Sequence, residues 1–343
     1  MAPLALTVGL LLTITLAVTI GPVEINPLNV WRVVGHQALP WLGIQTPDIT
    51  PAQENIVWLI RMPRVLLAGI VGAALAVVGM AMQAMVRNPI AEPYLLGVSS
   101  GASVGAVLVI LFGWFSFWGE TALAGAAFLF GLGSFALVFA LSQKGGRVSP
   151  LRLILVGVAV SYILSAVTSF ITFRASNQNG IQNALFWQAG SVAGAKWERL
   201  LLPSLALLFG VVLLLLQTRA LNALVAGEET AVTLGVDATR FRAQLMCVTA
   251  LITGTTVAVA GSIGFVGLIV PHALRLSVGS DHRRVLPLSA LAGAIFLIWV
   301  DVGARTVVAP QELPLGIITA AVGGPVFLWL LRVRLRQLEA ADR

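Results

Sequence analysis

Residues Leu201–Phe241 read LLPSLALLFGVVLLLLQTRALNALVAGEETAVTLGVDATRF. Leu201 to Leu216 carry no charge, and the run approaches the roughly 20 apolar residues that cross a bilayer. The chain then turns polar without becoming featureless. Glu228 and Glu229 suit the first turn of a helix, where the dipole favours anions. Gly235 suits a helix end that needs a left-handed residue, and Asp237 can cap the helix that follows. Ala231, Leu234, Val236 and Phe241 supply apolar positions that a merely solvated loop has no use for. Another apolar run, LMCVTALITGTTVAVAG, follows soon after. The stretch therefore reads as a membrane helix, a compact knob of short helices over about residues 226–241, and a return to the membrane. The fold class that follows is all-α, a polytopic membrane helical bundle.

The rest of the chain agrees. Of its 343 residues 58% are hydrophobic and only 10% charged, with a mean hydropathy of +0.95. A soluble domain of this length is roughly a quarter charged. Ten apolar runs lie near 4–22, 63–86, 95–113, 121–142, 150–173, 200–217, 243–260, 262–279, 286–304 and 313–331. The region 243–279 divides least clearly, because the break at AGSIG is short and uncharged. The first run has no Lys or Arg before it and no A-x-A cleavage site, so it reads as a retained span. Residues 1–343 read as one membrane domain, with no soluble domain and no linker.

Charge gives the sidedness. After the second, fourth, sixth, eighth and tenth runs come Arg87, then Lys144 to Arg152, then Arg219 to Arg242, then Arg275 to Arg284, then Arg332 to Arg343. These groups hold fourteen basic residues, and the other face holds seven. Cytoplasmic loops carry the Lys/Arg excess, so both termini are expected in the cytoplasm. An excess of 21 Lys+Arg over 14 Asp+Glu is thus topology, not a nucleic-acid footprint. Two outer segments are long enough to hold structure. The Pro-rich 23–62 is expected as short helices on the membrane surface, and 174–199 is expected to dip partly into the bundle.

Small residues let helix backbones approach in lipid. Gly97, Gly101 and Gly105 share one face of the third run, and Gly69/Ala73 and Gly72/Ala76 mark the second. Asp301 and Arg305 stand at pairing distance on one helix. His272 reads as a helix-end packing residue, and the lone Cys247 as a small core residue that excludes an internal disulfide or a cysteine metal site. No enzyme active site and no P-loop is present, so the chain hydrolyses no ATP through a motif of its own. Carboxylates and histidines near the midplane, which an ion-coupled carrier usually keeps, are missing from the runs. A stand-alone secondary carrier is the rival reading, and both this lack and the polar knob oppose it.

Four stretches, RNPIAEPYLLGVSSGASVGA (Arg87–Ala106), GSIGFVGLIVPHALRL (Gly261–Leu276), DHRRVLPLSALAGA (Asp281–Ala294) and QELPLGIITAAVGGPVFLWLL (Gln311–Leu331), resemble the FecCD-type (BtuC-like) permeases. These are the membrane subunits of ABC importers for ferric siderophores, haem and vitamin B12, and the resemblance covers roughly residues 58–332. It implies the type II importer architecture with ten helices, in the bacterial inner membrane. The partners it implies are a second permease chain (an identical copy or a paralogue), two ABC ATPase subunits that bind ATP and Mg, and a periplasmic or lipoprotein substrate-binding protein. No cofactor or metal is implied on this chain. The family favours siderophores as cargo, while the motifs are shared by haem and cobalamin permeases.

The same resemblance assigns roles. EETAVTLG matches the ATPase-coupling segment, which gives Glu228, Glu229, Ala231, Leu234, Gly235 and Phe241 as coupling residues. Arg61, Arg64 and Arg305 match arginines that meet acidic residues of the binding protein, and they run against the positive-inside trend. The fifth run is expected to line the translocation pathway, with Ser161, Tyr162, Ser165, Thr168 and Ser169 as its polar wall. A serine stripe is equally a packing surface. QKGGRVSP gives Gly145, Gly146 and Ser149 as a cytoplasmic gate.

Overall fold

The computed structural model describes residues 2–43, 49–92, 96–144 and 147–341. In chain order the helices are α1 (Ala2–Thr19), α2 (Pro27–Ala38), α3 (Pro51–Asn55), α4 (Met62–Val86), α5 (Val98–Phe112), α6 (Ala122–Ser142), α7 (Pro150–Arg174), α8 (Gln178–Gln188), α9 (Leu201–Leu216), α10 (Thr218–Ala226), α11 (Glu228–Thr233), α12 (Ala238–Ala260), α13 (Val266–Val278), α14 (His282–Thr306) and α15 (Leu315–Ala341). Between α6 and α7, Gln143–Lys144 pairs antiparallel with Arg147–Val148 in a minimal ladder.

Each of the ten apolar runs becomes one helix: α1, α4, α5, α6, α7, α9, α12, α13, α14 and α15. Among the described residues seven segments are long and apolar enough to cross a membrane, and the apolar helices Val98–Phe112, Val266–Val278 and Leu315–Trp329 are shorter. The runs at 95–113 and 262–279 are trimmed at their starts. Gly97 and Phe265 are left-handed, at φ 71° and φ 68°, and helical geometry cannot propagate back through such a residue. The ambiguous break in 243–279 thus falls at Gly261–Phe265, which is non-helical and leads into a short α13.

Helix α4 is the axis of the bundle. It is buried along nearly its whole length and packs against α1, α9, α10, α12, α13 and α14. Two of its glycines make that possible: a Cβ on Gly79 would overlap the Gly267 backbone, and one on Gly72 the Gly293 carbonyl. The α5 stripe meets α6 in the same manner. Gly97, Gly101 and Gly105 abut Ser134, Phe130 and Ala126 one turn after another. With no hydrophobic drive between helices in lipid, this backbone proximity supplies the dispersion contacts that hold the pair.

The outer segments fold as expected. α2, α3 and a π-helical turn over Ile56–Arg61 occupy 23–62, tied by Trp31 Nε1 donating to Thr15 (3.0 Å) and Gln37 donating to Glu54 (2.7 Å). Residues 174–199 do enter the bundle. After α8, Ser191 N–H donates to Ala260 O (2.8 Å), while Leu315 and Gly316 N–H donate to Gly190 and Ala189 carbonyls (2.8 and 2.9 Å). Cys247 is a correction. It is exposed, on the α12 face beside Phe209, because that face turns away from the α4 axis.

Candidate functional site

The knob is built as its punctuation predicts, with its first helix starting earlier. α10 and α11 meet at Gly227 (φ 132°), Gly235 is left-handed at φ 78°, and Asp237 accepts from Thr239 and Arg240 N–H to start α12. The six predicted coupling residues divide by exposure. Ala231 and Phe241 are buried and anchor the knob to the bundle. Glu228 accepts from the buried Arg242 at 2.9 Å and locks α11 onto α12. Glu229, Leu234 and Gly235 are exposed, together with Val232. Leu234 is 67% accessible and lines a groove of about 480 Å³ with Arg219, Ala223, Thr230 and Val236.

The base of the knob is fastened by polar groups that the sequence reading left out. Asn222 on α10 donates from Nδ2 to Asp281 (2.8 Å), and its Oδ1 accepts from the His282 backbone N–H (3.1 Å) and contacts His282 Nδ1 at 2.6 Å. Asp281 also caps α14 through Arg283 N–H at 3.1 Å. The Asn222 bond and that cap, with Arg283 and Arg284 nearby, hold its carboxyl below the usual range. Nearby, Gln83 on α4 donates to Gly267 O (3.1 Å) and accepts from Arg275. Glu92 accepts from Phe265 N–H at 3.0 Å and so ties the segment after α4 to the start of α13. Burial pushes its carboxyl pKa up, against the lowering effect of that bond. Only long-range pairing reveals these residues, and a single sequence carries no such signal.

Arg61, Arg64 and Arg305, the arginines expected to meet the binding protein, lie together with little of their side chains open. Arg61 is 5% accessible and donates to Val18, Thr19 and Val23 carbonyls at 2.8, 3.2 and 2.7 Å. Arg64 holds Asp301 at 2.9 Å and Glu312 at 2.7 Å. Arg305 reaches Ala17 and Ile20 carbonyls (2.6 and 3.2 Å) and Asp301 at 3.5 Å. The anticipated Asp301–Arg305 pair exists, and Arg64 is the closer partner. These guanidiniums tie α1, α4, α14 and the 306–314 segment into one rim, with Arg305 Nε left without a hydrogen-bond partner among the described residues.

The expected pathway helix α7 is exposed along one side. Ser165, Ser169 and Tyr162 face outward, Tyr162 with 75% of its surface open, among Leu155, Phe170 and Phe173. Thr168 is buried, its hydroxyl donating to Leu164 O at 2.9 Å. Ser161 is half-buried, and its Oγ has no partner among the described residues. Of the gate residues, Gly145 and Gly146 lie outside the described residues, and Ser149 is exposed at the start of α7. Ala2 and Pro3 share a cleft with Arg283 and Arg284, so the start of α1 lies at the knob end. Among the described residues no group of His, Cys, Asp and Glu could hold a metal.

Comparison with known proteins agrees with this architecture. The family model described as the FecCD transport family matches residues 9–333. The hemin transport system permease HmuU of Yersinia pestis is 44% identical over 82% of this chain and 84% of its own. The cobalamin import system permease BtuC of Halobacterium salinarum is 42% identical over 86% of this chain and 80% of its own. A solved inward-facing ABC transporter, described as of metal-chelate type, superposes with a TM-score of 0.83 at 33% identity, covering 96% of this chain and 98% of that one.

Proposed function

Because the chain belongs to the FecCD transport family, and is thus a permease subunit of an ABC importer and not an enzyme, we propose that it conducts a metal chelate from the outer face to the cytoplasm. The chelate is of the haem, cobalamin or ferric-siderophore class. Two relatives of nearly equal identity carry names with different cargo, hemin and cobalamin, so overall similarity does not choose among them. The energy comes from ATP bound with Mg on a separate ATPase chain. The knob end, which holds the basic excess, is cytoplasmic, and both termini lie there.

One observation carries the reading: α11 is a short helix fastened by Arg242, Ala231 and Phe241 that leaves Val232 and Leu234 open. A rigid support with exposed apolar contacts transmits a push, as a flexible loop cannot. The exposed side of α7 then faces a second copy or a paralogue across the pathway, with Tyr162, Ser165 and Ser169 as its mildly polar wall. Ser161 and Thr168 belong to the packed side of the same helix. Gly145, Gly146 and Ser149 close the cytoplasmic end. The arginine rim braces the outer surface on which the binding protein sits. A secondary carrier has no use for such a knob.

The test is contact. Val232→Cys and Leu234→Cys, in a chain whose Cys247 is replaced, are expected to cross-link to the co-expressed ATPase. Cysteines at the opposite end, at position 36 for example, are not. Cross-linking at 36 with none at 232 or 234 contradicts the proposal.

A further inference from the structure

The groove that exposes Leu234 also has Asn222 in its wall. Asn222 is half-buried and spends its polar atoms on the start of α14. Nδ2 donates to Asp281 (2.8 Å), so Oδ1 is the acceptor for the His282 backbone N–H (3.1 Å) and for Nδ1 of the same residue (2.6 Å). We propose that Asn222 is the positioning residue by which the knob moves α14, and that α14 couples the ATPase to the binding protein. The inference rests on the reading of the knob as the ATPase contact.

The first argument is the cap. A helix leaves its first N–H groups without partners of its own. In α14 the Asp281 carboxylate takes the Arg283 N–H (3.1 Å), and the Asp281 carbonyl takes those of Arg284 and Val285 (each 3.0 Å). The His282 N–H is left to Asn222, 60 residues away in sequence. The first turn of α14 is therefore completed by a side chain of the knob. The second argument is direction. Leu221 and Leu224 bury α10 against the bundle, but apolar contacts can slide, whereas hydrogen bonds with directional geometry fix the register of α10 on α14. The third is where α14 leads. Its 25 residues run unbroken through Pro287 to Thr306, a length of about 37 Å. Near its middle, Gly293 lies against the Gly72 backbone, which leaves no room to bend into α4. Its far end is locked in the arginine rim, where the fully buried Asp301 holds Arg64 at 2.9 Å. A rigid element fixed at both ends can carry coupling between distant sites. A partner that fills the groove meets Leu234 and Asn222 on the same wall, so its displacement reaches α14 directly.

The test uses the reconstituted complex of permease, ATPase and binding protein, the last loaded with hemin or cobalamin, whichever stimulates the wild type. Two quantities are read for each variant: stimulation of ATP hydrolysis by the loaded binding protein, and cross-linking to the ATPase from Leu234→Cys in a chain whose Cys247 is replaced. Asn222→Leu should keep the cross-link while stimulation falls roughly tenfold, the factor that one hydrogen bond to a charged group is worth. Asp281→Asn is the conservative control. Its oxygen still accepts from Asn222 and from the Arg283 N–H, so stimulation should stay near wild type. A merely structural role would lower cross-linking together with stimulation. If the Leu variant does not fold, Asn222→Asp keeps the test decisive: it has the same size, keeps the acceptor for His282 and opposes Asp281, and an intermediate loss of stimulation is expected. Wild-type stimulation in the Asn222 variant that folds overturns the inference. So does a parallel loss of cross-linking, or an Asp281→Asn complex that fails as Asn222→Leu does. Cross-linking absent with Asn222 in place overturns the underlying reading of the knob, and the inference with it.

Discussion

Asp301→Ala separates a structural arginine rim from a set of docking charges. Asp301 is fully buried and accepts from Arg64 Nε and Nη2, each at 2.9 Å, with Arg305 at 3.5 Å. Removing one partner of a buried pair costs about 3–5 kcal/mol, because the remaining charge is left uncompensated. Here Arg64 keeps Glu312 at 2.7 Å and Arg305 keeps two backbone carbonyls, which points to the lower end, about 3 kcal/mol. At roughly 2–4 °C per kcal/mol the Tm should fall by roughly 6–12 °C. The assay is tryptophan fluorescence of the detergent-purified chain against temperature. The informative control is Arg64→Leu with Asp301→Leu, which removes both charges together. A buried pair replaced by apolar residues is often neutral, so the double variant should recover part of the loss, the remainder reflecting Arg305 and Glu312, which each lose a charge partner. A Tm unchanged in the single variant refutes the reasoning, as does a double variant worse than the single.

Other consequences are testable with single changes. Gly105→Leu sets a side chain where even a Cβ would lie 2.5 Å from the Ala126 carbonyl; forced separation of α5 from α6 should cost about 1–3 kcal/mol, read as a lower Tm. Gly235→Val puts a β-branched residue at φ 78° where nothing crowds the site; it strains the knob alone, so expression and binding-protein affinity should persist while uptake falls, measured on one preparation. With Cys247 replaced, an impermeant thiol reagent added to intact cells should label a cysteine at 36 and miss one at 283; the opposite pattern reverses the assigned orientation.

The bundle was legible because its determinants are local. Apolar runs, basic residues at alternate ends, and the Glu–Gly–Asp punctuation of 228–237 each act over a turn or two, and α11, Gly235 and the Asp237 cap stand where that punctuation implies. The small-residue stripe on α5 was legible for the same reason, since four-residue spacing fixes a helix face. The internal bonds of the arginine rim were not legible because the partners are remote: Arg64 meets Asp301 across 237 residues of sequence, and charge counting cannot tell a rim from a surface. The start of α13 depended on a left-handed Phe265, a conformation that bulky residues rarely adopt and that no propensity signals. The cleft beneath the knob joins Arg87, Asn88 and Pro89 after α4 to His272, Arg275, Leu276, Ser280 and His282. Only the packing of α13 and α14 against α4 shows that they meet.

The central claim, that a separate ATPase drives transport through the knob, is tested most directly by measuring chelate uptake and ATP hydrolysis together. Both are followed on one reconstituted complex of permease, ATPase and binding protein, carrying Leu234→Asp. Leu234 is 67% exposed, so the bundle should fold and insert as before, and an unpaired charge at a buried apolar contact is costly. The account predicts lost uptake, with hydrolysis either detached from transport or no longer stimulated by the loaded binding protein. Wild-type uptake with wild-type stimulation would contradict it and make the stretch an ordinary solvated loop.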